Sequence, residues 1–104
     1  MTHQFYHNGR IYDTHGSKRI ATGPRRSVHI DTSPELQVKT YYLTEDGVCF
    51  YVMHRTELEG WLFKRIVVLE PRFHVFRNKS DAAFDIQNEL GEDGILAIRK
   101  FLML

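Results

Sequence analysis

The stretch VKTYYLTEDGVCFYVMH, residues 38–54, decides the fold. Two runs dense in β-branched and aromatic residues, Val38–Thr44 and Val48–His54, flank Glu45-Asp46-Gly47. Such residues fit a pleated surface, and a short Gly-containing link between two such runs reads as a hairpin. Strand side chains alternate, so Val48, Phe50 and Val52 face one way and Cys49, Tyr51 and Met53 the other. Both faces are apolar. If helices cover only one, then Tyr51, Met53 and part of Tyr41 or Tyr42 lie open. The alternative is that the N-terminal segment covers that face.

Working outward, Thr56–Gly60 reads as a second loop and Trp61–Glu70 as a third strand. Pro71 is expected to end that strand, with Arg72–Phe76 a short fourth segment. Upstream, Gln4–His7 and Arg10–Asp13 flank Asn8-Gly9, the best short signal for a type I′ turn. Thr14–Ala21 reads as one short helical turn weakened by Gly16. Gly23-Pro24 punctuates, Ser27–Asp31 alternates like a strand, and Thr32-Ser33-Pro34-Glu35 is a turn or helix start.

Downstream the period changes. Ser80 is the expected N-cap with Asp81 in the first turn, where the helix dipole favours a carboxylate. Ala83, Phe84, Ile86 and Leu90 form the expected stripe, and Gly91 the C-cap. Ile95, Ile98, Phe101 and Leu102 suit a second helix, with a final strand the competing reading of 94–104. Strands followed by helices imply an α+β fold: an antiparallel β-meander with C-terminal helices packed on one face. Residues 1–104 read as one domain.

Composition narrows the class. With 42% apolar and 26% charged residues and a net charge of +1, the chain is globular and has no global pull toward nucleic acid or anionic lipid. A lone cysteine, Cys49, cannot form an internal disulfide. The opening MTHQFYHNGR lacks the apolar core of a signal peptide, and no apolar run approaches the ~20 residues that span a bilayer. The expected location is the cytoplasm, away from membranes.

Six histidines raise a metal site. His3 and His7 have chelating spacing on a helix, but on a strand they lie roughly 13 Å apart. No CxxC, HExxH or calcium-loop pattern occurs, so neither metal nor cofactor is expected. Cys49 sits mid-strand with no neighbouring cation to lower its pKa, which reads as an inert thiol. Glu57 and Glu59 read as solvated loop carboxylates. No catalytic motif argues for an enzyme, although a site assembled from distant residues such as His29, His54 or His74 is invisible to this reading.

Charge is polarised. Residues 10–26 hold Arg10, Lys18, Arg19, Arg25 and Arg26 against Asp13, whereas residues 81–94 hold Asp81, Asp85, Glu89, Glu92 and Asp93 with no Lys or Arg. The basic segment can contact phosphates, pair with this chain's own acidic helix, or stay solvated. The acidic helix can mimic phosphate spacing on a target protein, or be a solvated face.

The run NGRIYDTHGSKRIA, residues 8–21, resembles the opening of a loose group of small uncharacterised bacterial and phage-type proteins, close to NGKxYDTxxAxxIA. In that group a Leu-Tyr-x-Thr-x-x-Gly hairpin and an acidic C-terminal helix follow. The similar pieces here are Tyr41–Gly47 and Ser80-Asp81-Ala82-Ala83, while Gly16-Ser17 replaces the usual helix-favouring residues. The resemblance implies an accessory product of phages or mobile elements, and no catalytic residue transfers with it. The functional expectation is stoichiometric binding to a larger host protein, as a candidate anti-CRISPR-like inhibitor of a defence or nucleic-acid-processing complex. The contacts expected are Tyr51, Met53, Asp81, Asp85, Glu89, Glu92 and Asp93. The alternative is a nucleic-acid-binding module using Lys18, Arg19, Arg25 and Arg26. An open apolar sheet face also suits a homodimer.

Overall fold

The computed structural model describes residues 3–30, 33–59 and 64–103. The central hairpin is longer than its two apolar runs. Strands β5 (Ser33–Leu43) and β6 (Cys49–Glu59) pair antiparallel from Leu43↔Cys49 to Glu35↔Glu57. Residues 33–35, expected in a turn, therefore lie in β5. Residues 56–59, expected in a loop, extend β6. Cross-strand pairing satisfies their backbone groups despite weak local strand signals. Asp31, Thr32 and Gly60–Phe63, which include the start of the expected third strand, lie outside the described residues.

Strand β7 (Arg65–Val75) pairs with β6 and runs straight through Pro71. The register moves from Met53↔Arg72 to Arg55↔Leu69, so β7 carries one extra residue opposite His54. That bulge, on a strand whose other side pairs with nothing among the described residues, tolerates a residue lacking an N–H. Pro71 therefore does not split the strand in two.

On the far side of β5, two short strands share one long partner. β3 (Lys18–Thr22) pairs with its C-terminal half and β4 (Arg26–Ile30) with its N-terminal half. The helical turn expected over 14–21 is instead a turn at 14–17 followed by β3. Pairing with Tyr41, Tyr42 and Leu43 outweighs the weak local helix signal. Gly23-Pro24 breaks the chain between β3 and β4, and the Gly23 N–H donates to the Lys39 carbonyl at 2.8 Å.

Strands β1 (Gln4–His7) and β2 (Arg10–Asp13) form a separate hairpin. Asn8 and Gly9 have φ of 48° and 79°, as a type I′ turn requires. The hairpin lies on the sheet face that carries Phe50 and Val52. Phe5 stacks on Phe73 at 4.2 Å and on Tyr12 at 5.1 Å, and Tyr12 meets Phe50 edge-on. The opposite face is covered by helices α1 (Lys79–Leu90) and α2 (Glu92–Ala97), which continues into a π-helical turn, Ile98–Leu102. Tyr41, Cys49, Phe76, Ala82, Ile86, Ile98 and Leu102 form that core. The fold is α+β, with the sheet between a hairpin and a helical layer.

Two helix details differ from expectation. The cap is Asn78, whose side chain accepts the Asp81 N–H at 2.8 Å, so the helix starts before Ser80. The buried stripe runs through Ala82 and Ile86, leaving Phe84 outside. The segment after Gly94 is helical, as expected, which removes the competing final-strand reading.

Candidate interaction surfaces

The helices cover the Cys49–Tyr51 side and the hairpin covers the Phe50–Val52 side, so the second of the two covering arrangements holds. Met53 is buried, between Lys39 and Arg72 in register. Tyr51 is half-buried, edge-on to Tyr41 and stacked on His74 at 5.4 Å. Neither residue offers the open surface expected of it.

The acidic helix divides in two. Asp85 and Glu89 turn inward, one helical turn apart on the side flanking Ile86. Asp85 accepts a hydrogen bond from the Tyr41 hydroxyl at 2.5 Å and lies 3.4 Å from Lys39 Nζ. Glu89 lies 3.3 Å from Lys39 Nζ and 2.6 Å from Arg26 Nε. These two carboxylates clamp α1 to the sheet. Asp81 is exposed beside Arg77 at 3.5 Å, and Glu92 and Asp93 are exposed in the first turn of α2.

The electrostatics of the clamp are structural in kind. Burial pushes the Tyr41 hydroxyl far above its usual range, and Asp85 adds to the shift. Burial pulls the Lys39 ammonium down, but Asp85, Tyr51 and Glu89 outweigh it and hold it charged. Lys39 also sits 4.6 Å from the centre of the Tyr51 ring. Both groups are moved away from the neutral range where proton transfer is efficient. Cys49 is likewise pushed up to about 12, by burial first and Asp85 second.

Of the basic segment, Arg26 is engaged by Glu89, while Arg10 pairs with Asp46 at 2.7 Å on the β5–β6 turn. Lys18, Arg19 and Arg25 are exposed. Lys18 Nζ and Lys100 Nζ lie 4.9 and 5.2 Å from the centre of the Phe101 ring. Among the histidines, His3 and His54 rings sit 5.2 Å apart, and His74 packs on Tyr51 and Phe76. Among the described residues, no three His, Cys, Asp or Glu side chains form a group able to hold a metal ion, and no helix is long and apolar enough to cross a membrane.

Two surfaces escaped sequence reasoning. The helical layer exposes Phe84 and Leu96, at 69% and 72%. Phe84 is two residues from both Ala82 and Ile86, on the opposite side of the helix, a signal hidden by assigning Ala83, Phe84, Ile86 and Leu90 to one stripe. Beyond the hairpin's reach, Leu36, Val38, Leu58 and Ile66 line a shallow concavity of about 270 Å³ flanked by Arg25 and His54. Ile66 and Val68, on the outer strand of that region, are 66% and 81% exposed. Comparison with known proteins finds no matching family model, no matching curated protein and no matching solved structure.

Proposed function

We propose that the chain acts by stoichiometric protein–protein binding, as a small cytoplasmic accessory protein of phage or mobile-element type that engages a larger host protein. The observation that supports binding is the outer side of the helical layer. Phe84 and Leu96 are exposed there, on elements that also carry the exposed carboxylates Asp81, Glu92 and Asp93. An exposed aromatic is the residue type that anchors protein interfaces, and carboxylates exposed on the same helices complement a basic partner surface. The fold gains nothing from Phe84 outside, because Ala82 and Ile86 already fill the contact with the sheet. The host setting, an anti-CRISPR-like block on a defence or nucleic-acid-processing complex, rests on the resemblance of residues 8–21. In this reading Asp85 and Glu89 hold α1 in place rather than touch the partner.

Nucleic-acid binding is the second reading, favoured by one observation: the Lys18 and Lys100 ammonium groups flank one ring, Phe101, with Arg19 on the same strand as Lys18. Arg25 would join them, and Arg26 is engaged elsewhere.

The test is affinity capture from lysate of the native cells, with and without nuclease, using wild type and Phe84→Lys/Leu96→Lys. One partner at equal stoichiometry, resistant to nuclease and lost with the double variant, is the expected result. Partners that all vanish with nuclease, or that the double variant retains, would overturn it.

A further inference from the structure

Strand β7 is the edge of the five-stranded sheet: it pairs with β6, and nothing among the described residues pairs with its outer side. An edge of this kind offers a row of backbone donors and acceptors to another strand. We infer that two copies of this chain pair antiparallel along β7, about a two-fold axis through Val67, joining their sheets into one.

The argument is one of self-complementarity. A two-fold axis perpendicular to the sheet places residues on the same face opposite one another, at equal distances either side of the axis. Lys64, Ile66, Val68 and Glu70 alternate onto one face of the strand. With the axis at Val67, Lys64 stands opposite the partner's Glu70, and Ile66 opposite the partner's Val68. Symmetry repeats both pairs. On that face the row reads charge pair, apolar pair, apolar pair, charge pair; on the other face Val67 meets its own copy and Arg65 stands opposite the partner's Leu69. The row's apolar members are the most exposed side chains of the strand's hydrophobic set, so the pairing covers surface that the monomer leaves in water.

Neighbouring registers lack this match. An axis at Val68 sets Ile66 against the partner's Glu70 and carries Lys64 past the bulge at Pro71. An axis at Leu69 sets Val68 against the partner's Glu70 and carries Ile66 past the bulge at Pro71. An axis at Ile66 sets Lys64 against the partner's Val68. Each of these shifts loses the Lys64–Glu70 pair that the Val67 register makes twice, and opposite charges directly across a strand pair are favourable. The Val67 register also ends where the backbone can no longer pair. It uses residues 64–70, and Pro71, which has no N–H to donate, lies just outside it at the bulge. The contact is short, so the dimer belongs to the weak, concentration-dependent class of interfaces.

The test is sedimentation of the full chain from about 10 µM to about 1 mM, comparing wild type with Lys64→Glu, Glu70→Lys and the double exchange. Both side chains are exposed, so the fold is expected to survive, and circular dichroism checks that it does. Wild type is expected to dimerise with rising concentration. Each single reversal should weaken the dimer about 5-fold or more, and the double exchange should restore it. A monomer at every concentration, a dimer indifferent to the single reversals, or a double exchange that fails to restore pairing would each overturn the inference. The helical surface carrying Phe84 and Leu96 is untouched by these variants, so partner capture is independent of this outcome.

Discussion

The hydroxyl of Tyr41, on a ring buried completely in the sheet, donates to Asp85 Oδ2 on α1 at 2.5 Å. This bond, with Lys39 beside it, ties the helical layer to the centre of the longest hairpin. Tyr41→Phe removes the donor while keeping the ring, and is expected to destabilise the protein by about 1.5–3 kcal/mol, since the acceptor is a carboxylate. Asp85→Asn should cost less once Tyr41→Phe is present. Denaturant unfolding of both single variants and the double variant measures that coupling. Additive losses would show that the bond holds nothing together.

Gly94 and Gly16 make a contrasting pair. A Cβ at Gly94 would stand 2.9 Å from the Ile86 carbonyl oxygen and 3.1 Å from its Cγ2. The close approach of α2 to α1 therefore requires glycine there. Gly94→Ala is expected to cost about 1–3 kcal/mol, as overpacking does. Nothing among the described residues lies within 4 Å of a Cβ at Gly16, so Gly16→Ala should stay within about 0.5 kcal/mol. Thermal unfolding of the two variants decides it.

Cys49 is expected to resist a thiol reagent at neutral pH in the folded protein and to react fully in denaturant. Its folded pKa, about 12, lies above the 9.0 of an ordinary thiol. The stabilisation it reports is therefore whole below about pH 9 and is lost as the pH rises toward 12. Tyr41 shifts in the same direction. Cys49→Ala should make the alkaline decline in stability shallower. Rapid labelling of the native protein would contradict this account.

At the acid end, Glu35 is the informative carboxylate. Hydrogen bonds from Arg55, the closer at 2.7 Å, hold it below the usual carboxylate range against the opposing effect of burial, and Gln37 adds to them. A lowered folded pKa gives stability that is present above about 4.5 and lost as the pH falls through the folded value. Glu35→Gln is expected to lower stability at pH 7 and flatten its dependence below pH 4.5. Chemical denaturation at several pH values measures both. An unchanged acid limb would show that Arg55 contributes nothing through Glu35.

The features that sequence exposes most clearly are local ones. Asn8-Gly9 announces its turn because both positions must adopt positive φ, and the alternation in residues 48–53 announces a sheet with two apolar faces. What stayed hidden depends on pairing across the chain. Residues 18–22 carry no strong strand signal and become a strand because the C-terminal half of β5 needs a partner. Pro71 reads as a stop, yet at a bulge on an edge strand it breaks no ladder. Ser80 competes with Asn78 for the cap on equal chemical terms, and only the backbone at Asn78 resolves the choice. Of the candidate contacts, the inward turn of Asp85 and Glu89 follows from their phase relative to Ile86, which the assumed stripe through Phe84 obscured. The burial of Met53 and the partial burial of Tyr51 follow from which face the helices take, a long-range fact that no local pattern carries.

The central claim, that the helical surface seats a protein partner, is tested most directly by photo-crosslinking from a single position. A crosslinking amino acid is placed at Phe84, and separately at Ile11, which is 61% exposed on the hairpin at the other side of the sheet. Crosslinking in the native cells is followed by nuclease and mass spectrometry. The account predicts one protein adduct from position 84, unchanged by nuclease, and none of that partner from position 11. Equal adducts from both positions, or adducts from 84 that consist only of nucleic acid, would contradict it.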